Sequence, residues 1–145
     1  MIGAWEVFDL EIDGTLYAFK TERADQLFAR NLMSGIDAML ATGAKVGLLE
    51  VACMRPVKAE GSGVRPLPER GDDARVAHLN NVIRFVSAQY GPEVRVIDGP
   101  DEWCNDEVIA TNVGYRWDGV HVYGPGAKLI YEKVANELLA LAAAE

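Results

Sequence analysis

Histidine and cysteine are both scarce in this chain, with two of each in 145 residues. Two histidines without clustered ligands argue against a zinc site, and no cofactor is called for. Two cysteines, Cys53 and Cys104, are too few for a disulfide scaffold, although they could make one bridge. Serine is also rare, at Ser34, Ser62 and Ser87 alone. Basic residues are outnumbered, 14 Lys and Arg against 22 Asp and Glu, for a net charge of −8. An acidic chain repels phosphate backbones, so nucleic acid is excluded as an expected partner. No apolar run approaches the roughly 20 residues of a membrane span. The start, "MIGAWEVFDLEIDG", has no basic head and no long apolar run, so it does not read as a signal peptide.

What is present reads as one globular domain over residues 1–145, half apolar and a quarter charged. The spacing predicts three helices. From about Thr21 to Thr42, Ala24, Leu27, Phe28, Leu32, Ile36, Met39 and Leu40 recur at steps of three and four, with Thr21 as cap and Gly43 as stop. From about Asp73 to Tyr90, Val76, Leu79, Ile83, Val86 and Tyr90 make a second stripe, capped by Asp72 or Asp73. His78 lies one step off that stripe and reads as a surface residue. A third helix begins near Pro125. Between them, "KVGLLEVAC" (45–53) and "VRVID" (94–98) read as strands, the first apolar enough to be covered on both faces. Alternating strands and helices predict βαβ units and a parallel sheet.

Two long loops, 54–72 and 99–114, follow the two strands. Both therefore belong at the carboxyl edge, where open α/β folds place ligands. Cys53 and Cys104 fall near that edge too, either bridged or as two separate thiols. A bridge would imply an oxidising compartment.

Asp118 and His121, in "YRWDGVHVY", lie three residues apart just before the third helix. A neutral imidazole acts as a general base only when its tautomer and orientation are fixed, and a carboxylate on one ring nitrogen fixes both. Gly119 lets the chain turn between them. Tyr115, Arg116 and Trp117 flank the pair, and the two aromatic rings suit a sugar face or ordinary packing. The "GPGAK" stretch lacks the spacing of a phosphate-binding loop and reads as a turn and helix start.

"DGVHVYGPGAKLIYEKV" resembles the last block of the SGNH (GDSL-type) esterase and acyl-transfer family. "GAWEVFDLEIDG" resembles its third block, in the form found in SGNH domains attached to membrane O-acyltransferases. "TGAKVGLLEVAC" and "DDARVAHLNNVIRFVSAQYGPEVRVID" resemble the segments between, in the same order. The resemblance implies a three-layer α/β/α sandwich with a mostly parallel sheet, SGNH/flavodoxin-like. It implies ester hydrolysis or O-acyl transfer on a small ester or carbohydrate, outside the cytoplasm, with no cofactor. His121 would be the general base and Asp118 its orienting partner. Trp5 stands where the family usually has an oxyanion-binding Asn, and its indole N–H is a donor. Glu6 lies close enough to contact substrate, with Tyr115 and Arg116 beside the pair.

The family nucleophile, a Ser in a Gly-Asp-Ser block, has no counterpart here. Ser34 and Ser87 fall within expected helices and Ser62 within the Pro/Gly loop. The chain therefore reads as the C-terminal portion of the domain, lacking its first strands. That leaves an unpaired sheet edge, and the isolated chain is expected to form a homodimer through it or to be marginally stable. In the full-length protein a membrane acyltransferase domain is the implied neighbour. The competing expectation is a non-catalytic pseudo-hydrolase that binds a sugar or a protein partner.

Overall fold

A computed structural model describes residues 5–58, 65–99 and 102–144, the side chains of Glu102 and Cys104 excepted. The chain is mixed α/β. Strands β1 (Leu10–Ile12) and β2 (Thr15–Tyr17) form an antiparallel hairpin, and β3 (Val46–Leu49) and β4 (Val94–Ile97) form a parallel pair. The long helices are α1 (Glu22–Leu40), α2 (Asp73–Ser87) and α5 (Gly124–Ala143), with short helices α3 (Glu102–Asn105) and α4 (Glu107–Ala110) before α5.

The caps form as the sequence anticipates. The Thr21 side chain accepts from the Ala24 N–H, and the Asp72 carboxylate accepts from Ala74 and Arg75, relieving orphan first-turn donors. Gly43, at φ +79°, takes the left-handed turn that releases the chain from α1. The second helix stops at Ser87, short of Tyr90, whose hydroxyl instead donates to Asp37 at 2.8 Å and ties the ends of α1 and α2 together.

Val46 and Leu48 of β3 join the buried faces of α1 (Phe28, Leu32, Ile36) and α2 (Val76, Leu79, Ile83, Val86) in one core. The other face of the pair receives α5. A Cβ placed on Gly47 would meet Ile97, Leu138 and Leu141, so glycine there permits the close approach. The sheet on which α1, α2 and α5 pack has two strands among the described residues, fewer than a full doubly wound sheet.

Backbone N–H groups of Val46 and Glu50 donate to Glu93 and Ile97 of the β4 side. By strand alternation, the peptide groups of Gly47, Leu49 and Val51 face the opposite way. At Val51 the side chain of buried Asn80, on α2, takes over the role of a neighbouring strand. It accepts from the Val51 N–H at 2.8 Å and donates to the Val51 carbonyl at 3.0 Å. Replacing Asn80 by Ala strands two buried backbone groups, and is expected to cost about 2–3 kcal/mol in urea unfolding.

The hairpin was not anticipated by the sequence reading, which places its first strands at residues 45–53 and 94–98. The overlooked signal is Asp13-Gly14 between two short β-rich triplets. Both residues have positive φ, 50° and 73°, as a two-residue hairpin turn requires.

Candidate active site

The Asp118–His121 loop is built from its backbone outward. The Gly119 N–H donates to the Arg116 carbonyl at 2.9 Å, and Arg116 and Val122 bridge across the base of the loop. Gly119 sits at φ +76°. Two further bonds pin the loop to the segment leaving β3. The Arg55 N–H donates to the Gly119 carbonyl at 2.9 Å, and the Val57 N–H to the Asp118 carbonyl at 3.0 Å. The carboxyl end of β3 thus carries the loop that precedes α5.

Each oxygen of Asp118 has its own task. Oδ1 accepts from the backbone N–H of Val120 at 3.0 Å and of His121 at 2.7 Å. Oδ2 lies 2.7 Å from His121 Nδ1. A carboxylate at Nδ1 makes that nitrogen the donor and leaves Nε2 with the lone pair. The His121 side chain is 53% exposed and that of Asp118 17%, so the imidazole is largely open to solvent while the carboxylate is shielded.

Burial pushes the Asp118 carboxyl up. The His121 N–H, the His121 ring and the Val120 N–H together outweigh it and hold the group below the usual carboxylate value. A depressed folded value means that ionised Asp118 stabilises the fold above the unfolded pKa, near 4. That stabilisation is lost as pH falls through the lower folded value. Unfolding titrated between about pH 5 and pH 2 should therefore show a steeper loss of stability for the native chain than for Asp118→Asn.

Arg116 corrects an expectation. Expected among the substrate contacts, its side chain is buried, 1% exposed. The guanidinium donates to the carbonyls of Cys53 and Ala110 and lies 4.5 Å from the Trp103 ring centre. Burial, with repulsion from Arg55, lowers its pKa to about 10 against the pull of Asp118. Arg116 fastens the loop to the strand end and to α4. Tyr115 is half-buried, and its carbonyl accepts from the Tyr123 N–H at 2.8 Å, at the entry to α5.

Trp5 is 63% exposed and stacks on Arg70, 4.4 Å from guanidinium carbon to ring centre, with Phe8 beside it. Its backbone N–H donates to the Glu6 carboxylate at 3.3 Å. The Pro68–Gly71 turn that carries Arg70 abuts Pro56, next to the Val57 that holds Asp118. The turn that meets Trp5 and the dyad loop thus both touch the segment 55–57, and no hydrogen bond or ring contact joins Trp5 to the dyad among the described residues. The Arg70 partner of Trp5 was missed, since nothing local relates residues 65 positions apart.

Cys53 is buried and disulfide-bonded. The expected pairing with Cys104 lies outside the described side chains. His78 also departs from expectation. It is half-buried, with Nε2 2.8 Å from Asp25 Oδ1 and its ring edge against Phe19. Diethyl pyrocarbonate attacks an unprotonated, accessible imidazole nitrogen. Peptide mapping by mass spectrometry should find His121 modified well before His78. Among the described residues, no cluster of three or more His, Cys, Asp or Glu could hold a metal.

No protein-family model, curated protein or solved structure matches the chain.

Proposed function

We propose that this chain is the base-bearing part of an SGNH-type hydrolase domain that performs ester hydrolysis or O-acyl transfer on a small ester or carbohydrate. The observation that carries the reading is the 2.7 Å contact between Asp118 Oδ2 and His121 Nδ1, on an imidazole whose side chain is more than half exposed. His121 takes the proton of an attacking hydroxyl, and Asp118 keeps the ring in the accepting tautomer and stabilises the imidazolium. Trp5 and Glu6 enter this reading through the resemblance alone, as indole donor and substrate contact, and Tyr115 flanks the dyad.

In this reading the nucleophile is a serine that follows a strand, and none does so among the described residues. Ser34 and Ser87 sit in the middle and at the end of long helices, and Ser62 lies outside the described residues. A cleft of about 400 Å³ follows β3 on the side turned away from β4, lined by Gly47, Leu49, Met54 and Val120 among others. A further parallel strand with a serine at its carboxyl end fits that course and would extend the pair toward a three-layer α/β/α sandwich. In its absence the same edge is where a second copy would pair. The disulfide at Cys53 favours an extracytoplasmic location. No helix among the described residues is long and apolar enough to cross a membrane, so a membrane acyltransferase partner would be a separate domain of a longer protein.

The experiment supplies the chain with a Gly-Asp-Ser segment, fused upstream or co-expressed, and assays a short-chain nitrophenyl ester and a fluorophosphonate probe. Turnover and labelling of the added serine support the reading. A folded, complete domain that does neither defeats it. The scarcity of serine also favours a second reading, a pseudo-hydrolase that binds a sugar or a protein partner without cleaving it. Ligand binding by a complete domain without turnover is its signature.

A further inference from the structure

We propose that Trp117 is a positioning residue for His121, holding the imidazole plane so that Nε2 points at the reacting hydroxyl. This deepens the hydrolytic reading above and rests on it. The two rings are stacked, with centroids 5.8 Å apart and planes 17° apart.

The need for such a contact follows from exposure. More than half of the His121 side chain is open to solvent, so surrounding atoms do little to restrain it. Among the described residues the ring is held by Asp118 at Nδ1 and by the face of Trp117. One hydrogen bond leaves the ring free to pivot about that bond, which sweeps Nε2 through an arc. Proton transfer tolerates displacements of only about 0.5 Å. Stacking restrains the pivot, because tilting the imidazole out of the near-parallel plane weakens its contact with the indole.

Trp117 can act as a reference surface because its own backbone is clamped on both sides. Arg116 before it is anchored in the interior by its guanidinium, and the Asp118 carbonyl after it accepts from Val57. The indole is itself half-buried. The dyad is therefore a three-part unit, in which Asp118 sets the tautomer and Trp117 sets the plane. The residues are four apart in sequence, but neither is in a helix. The turn at Gly119 and the Arg116–Val122 bridge bring the rings into an offset, near-parallel stack.

The first test needs no turnover and uses the whole 145-residue chain. In the native protein, NMR should find the carbon-bound ring protons of His121 shifted upfield by the indole and cross-relaxing with Trp117. Trp117→Ala should abolish the shift and lower the order parameter of the His121 ring, while Trp117→Phe should keep most of both. In the domain completed with its serine segment, Trp117→Ala should lower kcat about fivefold with KM unchanged, the size expected of one aromatic pair, and Phe should restore most of it. An unshifted His121 ring in the native chain, or a ring equally ordered in the Ala variant, overturns the proposal. Should the Ala variant not fold, the native shifts and the Phe variant still decide. A completed domain with no turnover sinks the hydrolytic reading while the ring-order result stands, so the two failures are distinguishable.

Discussion

Replacing His121 by Ala in the completed domain should lower kcat/KM for a nitrophenyl ester by about 10²–10⁴-fold, the range ascribed to a positioned general base. The companion variant, Asp118→Asn, is the sharper test. An Asn side-chain oxygen can still accept from the backbone N–H groups of Val120 and His121, so the loop keeps its shape. The amide nitrogen then faces His121 Nδ1, where Oδ2 lies at 2.7 Å in the native chain. A donor at that point forces the proton onto Nε2, and the ring can no longer accept one from the nucleophile. The loss should match that of His121→Ala, with a fall in melting temperature at neutral pH limited to the ionised carboxylate's own contribution. Asp118→Ala should lose activity and stability together, because it also strands the two backbone donors. The rates are measured by steady-state kinetics and the folds by circular dichroism. Full activity in Asp118→Asn would remove the carboxylate from the mechanism. In a binding module, neither substitution has turnover to abolish, and ligand affinity should stay within about twofold, as for a surface change.

Gly119→Ala is expected to be the most damaging single substitution for stability, at about 3–5 kcal/mol. Two effects combine. Glycine there has φ +76°, which costs any other residue roughly 1 kcal/mol or more. An added Cβ would also occupy the space of the Arg55 carbonyl. The loop must then move off the segment after β3, breaking the Arg55–Gly119 and Val57–Asp118 backbone bonds. A loss of that size is a large share of a typical domain's stability. Gly43→Ala is the control. Its φ is +79°, but nothing lies within 4 Å of an added Cβ, so its cost should be about 1 kcal/mol. Urea unfolding compares the two. Equal midpoints would mean that contact with the Arg55 segment does not hold the dyad loop in place.

The two predictions depend on different distances along the chain, and so does what could be read in advance. The Asp118–His121 contact was legible because the glycine between them permits a turn whose groups are near neighbours. His78 shows the limit of the same reasoning. Its position one step off the apolar stripe of α2 implied exposure, yet Asp25 of α1 lies 2.8 Å from its ring. Arg116 was misplaced for a related reason. A charged residue beside a catalytic pair suggests substrate contact, but the exits from β3 and α4 leave two backbone carbonyls facing one buried point. A guanidinium is the side chain with enough donors to meet both.

The sequence by itself determined the long helices, the caps of α1 and α2, the parallel pairing of β3 with β4 and the three-residue spacing of the dyad. These depend on apolar periodicity and on bonds between residues a few positions apart. The tertiary structure alone decided that Asn80 stands in for a strand at Val51, that Trp5 rests on Arg70 and that Arg116 faces inward. It also decided that the dyad loop is fastened to the end of β3. Each of these is a partnership between segments far apart in the chain. Which polar group meets which is settled only when packing the core brings such segments together and leaves their buried donors and acceptors to be satisfied.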